Sequence, residues 1–290
     1  MTTGPWRSLL FAPGNHPRKA EKVFTAAADV AILDLEDAVA MSEKAAARAA
    51  VVNALKADRS CLGYVRINAA DTEFYADDLA AAVGPWLDGL IVPKVETAEQ
   101  LVAADAEITA LEARQGMEPG AVDLLPIVET AKGLDAVNAI AASGTRVRRL
   151  SFGAVDFAKD LNMRLTLDEW ELTPARAAIA LASRVAGLDA PLDSVWVHYR
   201  DTPGLVRSAE RVRDLGFQGK MCIHPDQVAP VNDAFTPSDD EVARAKTIVA
   251  AFEIAEAEGS ASIQIDGFFV DYPVVEQARR TLALIKRLRG

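Results

Sequence analysis

Five carboxylates in this chain stand where carboxylates are costly. Asp34, Glu36 and Asp37 close the run VAILDLED (30–37), Glu129 closes DLLPIVET (123–130), and Asp156 closes VRRLSFGAVDF (147–157). Each run contains the apolar residues of a buried strand, and carboxylates are rarely buried without a partner. Clustered, they repel and raise one another's pKa unless a cation neutralises them. Opposite charge toward the ends of similar runs comes from Arg66 in GYVRIN (63–68) and Lys94 in GLIVPKV (89–95). Oxygen ligands with little His or Cys point to a hard divalent ion, magnesium, with manganese as the alternative. Magnesium usually takes one or two protein carboxylates and keeps several waters, so Glu129 and Asp156, on successive runs, are the expected ligand pair. Glu36 and Asp37 are expected to accept hydrogen bonds from the ion's waters. Asp34 is expected to orient a neighbour such as Arg66, and Arg66 suits a substrate carboxylate gripped by its bidentate fork.

These residues converge only if their runs are staves of one sheet. The others are RSLLFAP (7–13), SVWVHY (194–199) and GKMCIHP (219–225). Ala-rich stretches of helical character lie between them, among them 43–57, 98–114, 133–143, 174–187 and 204–216. Alternation of this kind predicts parallel strands joined by crossover helices. Eight units in about 225 residues predict an α/β fold, the (β/α)8 TIM barrel, whose active sites gather at the C-terminal strand ends. A doubly wound open sheet is the alternative, but no G-x-G-x-x-G follows the first run. His198 and His224, on the last two runs, read as hydrogen-bonded structural histidines rather than ligands.

The barrel accounts for residues 1–232, and 233–290 form a C-terminal lid segment. There a loop, DAFTPSDD (233–240), leads into a helix over 241–259, with Ser238 or Asp239 as N-cap and Gly259 as the stop. A β-like run with a turn, SIQIDGFFVDYP (262–273), and an amphipathic helix over 274–289 follow. Asp271, taken alone, reads as a turn residue or a helix N-cap.

Composition narrows the partners. The 290 residues are half hydrophobic and carry a formal charge of −11, which does not suit nucleic acid or an anionic membrane surface. No apolar run approaches ~18 residues, and the start of the chain lacks the pattern of a signal peptide. The two cysteines, Cys61 and Cys222, stand outside any C-x-x-C, which excludes a disulfide framework and suggests a reducing cytoplasm. Arg146, Arg148 and Arg149 read as a solvated basic patch at the barrel bottom. Trp86, Trp170 and Trp196 read as core or interface aromatics.

In chain order, RSLLFAPGN (7–15), DLEDAV (34–39), VRIN (65–68), PKVE (93–96), PIVETAKGL (126–134) and GKMCIHP (219–225) closely resemble the citrate lyase β-subunit family. This branch of the HpcH/HpaI aldolase superfamily also holds malyl-CoA, methylmalyl-CoA and citramalyl-CoA lyases. VDYPVVEQA (270–278) extends the resemblance to the C-terminal segment. It implies a TIM barrel with a lid, assembled as a homotrimer or homohexamer. It implies magnesium on Glu129 and Asp156, Arg66 against the acyl or keto-acid group, and Asp271 as the catalytic acid/base supplied by a neighbouring subunit's lid. Coenzyme A is implied near Arg18 and Lys22, with backbone contacts around Met221 and Cys222, and basic residues suit its phosphates. The implied reaction cleaves or condenses a 3-hydroxyacyl-CoA such as malyl-, methylmalyl- or citramalyl-CoA, with an acyl-CoA and a 2-oxo acid as the other partners. A citryl-acyl-carrier lyase subunit of a citrate lyase complex and a weakly catalytic CoA-binding scaffold are the alternatives. Two departures, Val155 where relatives often have Glu in G-x-E-D-F and Phe11 where some have Tyr, bear on the substrate more than on the reaction class.

Overall fold

The computed structural model describes residues 6–289. Eight strands form: β1 (Ser8–Pro13), β2 (Val30–Asp34), β3 (Leu62–Arg66), β4 (Gly89–Val92), β5 (Asp123–Val128), β6 (Ser151–Phe152), β7 (Leu192–Asp193) and β8 (Gly219–Cys222). Each pairs in parallel with the next, and β8 closes onto β1 with Leu9 beside Met221 and Leu10 beside Cys222. The fold is a (β/α)8 TIM barrel.

Strand residues alternate between two apolar environments. Leu9, Ile32, Ile91, Leu125, Leu192 and Met221 pack with one another inside the barrel. Leu10, Leu33, Val65, Leu90, Leu124 and Cys222 pack outward with helix residues such as Val51, Leu79, Leu101 and Ile179. With both faces buried, the strands read as nearly continuous apolar runs, and charge is concentrated at their ends.

One charged network is an exception. Arg176, fully buried, donates to both oxygens of Asp193 on β7 at 2.8 and 3.0 Å and to Glu169 at 3.1 Å. Lys220 on β8 also donates to Asp193, and Ser208 to Glu169. Two cations and two anions close on themselves between strands and helices.

Several sequence expectations change. The run 194–199 is not a strand: β7 precedes it, and Val197, His198 and Tyr199 are exposed in the loop that follows. The buried charge of Asp193 disguised the true strand. The run 147–157 contains only a two-residue strand, because a helix begins at Ala154 (Ala154–Asp160). Strand alternation therefore does not govern Val155 and Asp156. The expected solvated patch is not one: Arg149 is buried, lies 3.6 Å from the Trp6 ring centroid and pairs with Asp189 at 2.6 Å, while Arg146 pairs with Asp105 and Glu112. Of the tryptophans read as core or interface aromatics, Trp196 is buried in the core and Trp170 is 71% exposed. Residues 233–235 end a helix, Val228–Phe235, rather than open a loop.

The chain divides into two compact units, residues 6–235 and 236–289 among those described. In the second, the helix Asp239–Ala257 starts on a capping box between Ser238 and Glu241, and Gly259 follows its end at φ +86°. The hairpin of β9 (Ser262–Ile265) and β10 (Phe268–Asp271) turns through Asp266 and Gly267, both at positive φ, as a D-G hairpin turn requires. The helix Tyr272–Arg289 completes it, around Ile248, Phe252, Val270 and Val275. Among the described residues no helix is long and apolar enough to cross a membrane.

Candidate active site

The mouth is organised by the register of β2 and β3. Asp34 and Arg66 end these strands opposite one another. Neighbours in a parallel sheet point the same way, so the Arg66 guanidinium forks onto Asp34, Nε to Oδ1 at 2.8 Å and Nη2 to Oδ2 at 2.6 Å. Asp34 also accepts the backbone N–H groups of Glu36 and Ala38, each at 3.0 Å, which starts the turn. Burial raises the Asp34 pKa, but Arg66 and the two N–H donors outweigh it and leave it lowered. Arg66 rests on the Phe11 ring at 4.8 Å.

The loop beyond β2 is pinned from below by Lys44. Its buried ammonium donates to the carbonyls of Leu35 (2.9 Å) and Glu36 (2.6 Å) and to Asn68 Oδ1 (2.7 Å). The sequence reading passed over this residue. Its signal was position: Lys44 lies on the same helical stripe as Ala47, Val51 and Ala54, where a lysine must find internal partners.

The turn separates Glu36 from Asp37. Glu36 is buried: its Oε1 accepts from the Lys94 ammonium, and its Oε2 lies 3.0 Å from Arg66 Nη1 at an angle short of a hydrogen bond. Burial raises the Glu36 pKa, and the two cations only partly offset this. Asp37 is more than half exposed, 3.9 Å from the Lys94 ammonium.

Glu129 follows β5 and is 2% exposed. Its Oε1 accepts the Lys94 backbone N–H at 2.8 Å. The pairing of Val128 with Phe152 sets it against the turn into the helix Ala154–Asp160, which carries Asp156 in its first turn. Gly153 makes room: a Cβ there would stand 2.2 Å from Glu129 Oε2. Burial first, then the charges of Glu36 and Asp156, push Glu129 up to about 8. A buried carboxyl resisting ionisation beside two others marks a place short of positive charge. A hard divalent ion fits it, with oxygens from Glu129 and Asp156. Among the described residues no three or more His, Cys, Asp or Glu form a metal cage.

The remaining expected residues are dispersed. Arg18 and Lys22 are exposed on the helix Pro17–Lys22, which follows β1. Met221 and Cys222 lie on β8, with side chains in the inner and outer apolar layers respectively. Burial pushes the Cys222 thiol up to about 12, so it is no thiolate nucleophile. His224 Nδ1 accepts from the Asp226 N–H at 3.2 Å, a capping role, and its ring stacks on Tyr199. His198 packs edge-on to Trp196 from an exposed loop. Asp271 belongs to the second unit, where its Oδ1 accepts the Val274 N–H at 3.4 Å at the start of the last helix.

The HpcH/HpaI aldolase/citrate lyase family matches residues 7–225. Citrate lyase subunit beta of Leuconostoc mesenteroides subsp. cremoris is 35% identical over 280 residues, covering 96% of this chain and 92% of that protein. L-malyl-CoA/beta-methylmalyl-CoA lyase of Cereibacter sphaeroides (strain ATCC 17025 / ATH 2.4.3) is 39% identical over 298 residues, covering 94% and 92%. Among solved structures, protein CitE from Mycobacterium tuberculosis in complex with magnesium, acetoacetate and coenzyme A superposes with a TM-score of 0.80 at 32% identity over 98% of both chains. The citrate lyase beta subunit from the same organism, complexed with oxaloacetate and magnesium, gives 0.67 at 32% identity over 80% of this chain and 98% of that one.

Proposed function

The chain belongs to the HpcH/HpaI aldolase/citrate lyase family, and from that premise we propose that it is a magnesium-dependent carbon–carbon lyase acting on a 3-hydroxyacyl-CoA. The observation that carries this reading is Glu129: a buried carboxyl at the strand end, pushed up to about 8 by burial first and then by the charges of Glu36 and Asp156. Magnesium is the proposed ion and manganese the substitute, held by Glu129 and Asp156, with Glu36 and Asp37 toward its waters. Bound there, the ion supplies Lewis-acid stabilisation of the oxygens of the 2-oxo-acid fragment.

Arg66 balances negative charge on the same fragment. Its Nε–Nη2 edge is already taken by Asp34 and its Nη1 lies 3.0 Å from Glu36 Oε2, so a substrate carboxylate shares the Nη1–Nη2 edge with Glu36. Asp271, brought by the lid of a neighbouring subunit in a homotrimer or homohexamer, protonates the α-carbon of the leaving thioester enolate in cleavage. In condensation it takes the α-proton. Arg18 and Lys22 hold coenzyme A phosphates, and backbone around Met221 and Cys222 borders the thioester arm. Replacing Asp271 with Ala is expected to leave magnesium and CoA binding intact and abolish turnover, measured by calorimetry and a cleavage assay. Near-normal rates would reject the role.

Malyl-, methylmalyl- and citramalyl-CoA are the preferred substrates. Pocket differences of one methylene are worth only ~1–3 kcal/mol, so the choice among them belongs to assay. A second reading, a citryl-acyl-carrier lyase subunit, is favoured by the 35% identity to citrate lyase subunit beta. The test is a cleavage panel of malyl-, citramalyl- and citryl-CoA with magnesium and with EDTA. Magnesium-dependent cleavage of one of them is expected, and inactivity on all, indifferent to EDTA, overturns the reading.

A further inference from the structure

Lys94 is a residue with side chain and backbone in unusual places. It stands at φ +52°, in the left-handed region that residues with a Cβ rarely adopt. That conformation aims its two donors at different carboxylates: the backbone N–H at Glu129 Oε1 (2.8 Å), and the ammonium at Glu36 Oε1 and toward Asp37. Glu36 is 6% exposed, and its other oxygen is buried without a hydrogen bond. That oxygen lies 3.0 Å from Arg66 Nη1 without hydrogen bonding to it, so the Lys94 ammonium makes the hydrogen bond that fixes Glu36, whose charge acts on Glu129 as that of Asp156 does.

We propose that Lys94 is a positioning residue that keeps Glu36 from becoming a third carboxylate ligand of a divalent cation held by Glu129 and Asp156. The inference rests on the metal reading above. Two carboxylates neutralise a divalent ion. A third gives the centre a net negative charge, occupies a coordination position and repels an anionic 2-oxo acid. The ammonium removes that outcome by holding Glu36 in an ion pair, while the backbone N–H of the same residue fixes Glu129. One strained residue thereby sets both the count and the aim of the ligands.

The experiment titrates the full-length protein with Mn2+, following free ion by EPR and exchanging metal-bound water by proton relaxation, with pyruvate as the 2-oxo-acid probe. Lys94→Gln and Lys94→Gly are expected to bind Mn2+ about fivefold tighter, through the lost cation and the added ligand. They should show about one fewer exchanging water and weaker pyruvate binding. Lys94→Arg should behave as wild type, and adding Glu36→Gln to Lys94→Gln should restore the lost water. Lys94→Gly accepts the positive φ, so it guards against a variant that fails to fold. Unchanged water count in both variants, whatever the affinity, overturns the role of Lys94 and leaves the metal reading standing. A wild-type protein that binds no Mn2+ overturns the metal reading itself, and this inference with it.

Discussion

Arg66 and Asp34 act as one group. Asp34 saturates one edge of the guanidinium and is itself ionised by it, so neither is independent of the other. Asp34→Asn keeps the shape and loses the charge, and it is expected to raise KM for the acyl-CoA about tenfold while Mg2+ affinity stays near wild type, since Glu129 and Asp156 are untouched. Steady-state kinetics beside calorimetry separates the two. Glu129→Gln should lose the Mg2+-induced rise in melting temperature, because the amide gives up the charge that draws the ion. The metal-free variant should melt no lower than wild type, since a buried, poorly compensated carboxyl is removed. The residue types at the strand ends were readable as chemistry from the sequence. The expected pairing of Asp34 with Arg66 is present, but the partners of Lys44 and Lys94 were not readable, because these residues reach them by folded geometry rather than by spacing.

At the scale of elements, legibility followed local chemistry. The helix Ala98–Arg114 coincides with its sequence pattern because the Thr97–Gln100 capping box marks its start. The Asp266-Gly267 turn and the Ser238 cap were equally visible. β6 was drawn too long and β7 was misplaced, because short strands carry little periodicity and Asp193 puts a charge inside β7. The turn after β6 carries the strongest element-level prediction. Gly153→Ala would set a methyl 2.2 Å from Glu129 Oε2, so the carboxylate must move and Mg2+ binding should fall about tenfold or more. Circular dichroism should show the barrel still folded. Ser238→Ala, by contrast, is expected to cost about 1 kcal/mol in the stability of the C-terminal unit, measured by denaturant melts.

At the scale of the whole molecule, acid stability should track the buried ion pairs. Burial raises the Asp193 pKa, but Lys220 and Arg176 outweigh it and leave it lowered, as Asp34 is lowered by Arg66. A lowered folded pKa contributes stability present above the unfolded value, near 3.8, and lost as pH falls through the folded one. Melting temperature should therefore hold from pH 7 to about 4 in this respect and drop below it. Arg176→Met leaves Asp193 to Lys220 alone and Glu169 without its buried cation, is expected to cost ~3–5 kcal/mol, and should move the acid loss to higher pH. By itself the sequence determined the eight alternating units, the barrel they close into, the carboxylates at the strand ends and the family. These follow from local pattern: apolar runs, helical periodicity and residue type within a few positions. Only the tertiary structure decided that Asp34 takes the Nε–Nη2 edge of the Arg66 it was expected to orient, that Lys94 bridges Glu36 and Glu129 from a left-handed backbone, and that Asp156 rides on a helix. Those facts depend on register between strands far apart in the chain, and pairing across the barrel leaves no mark on spacing along it.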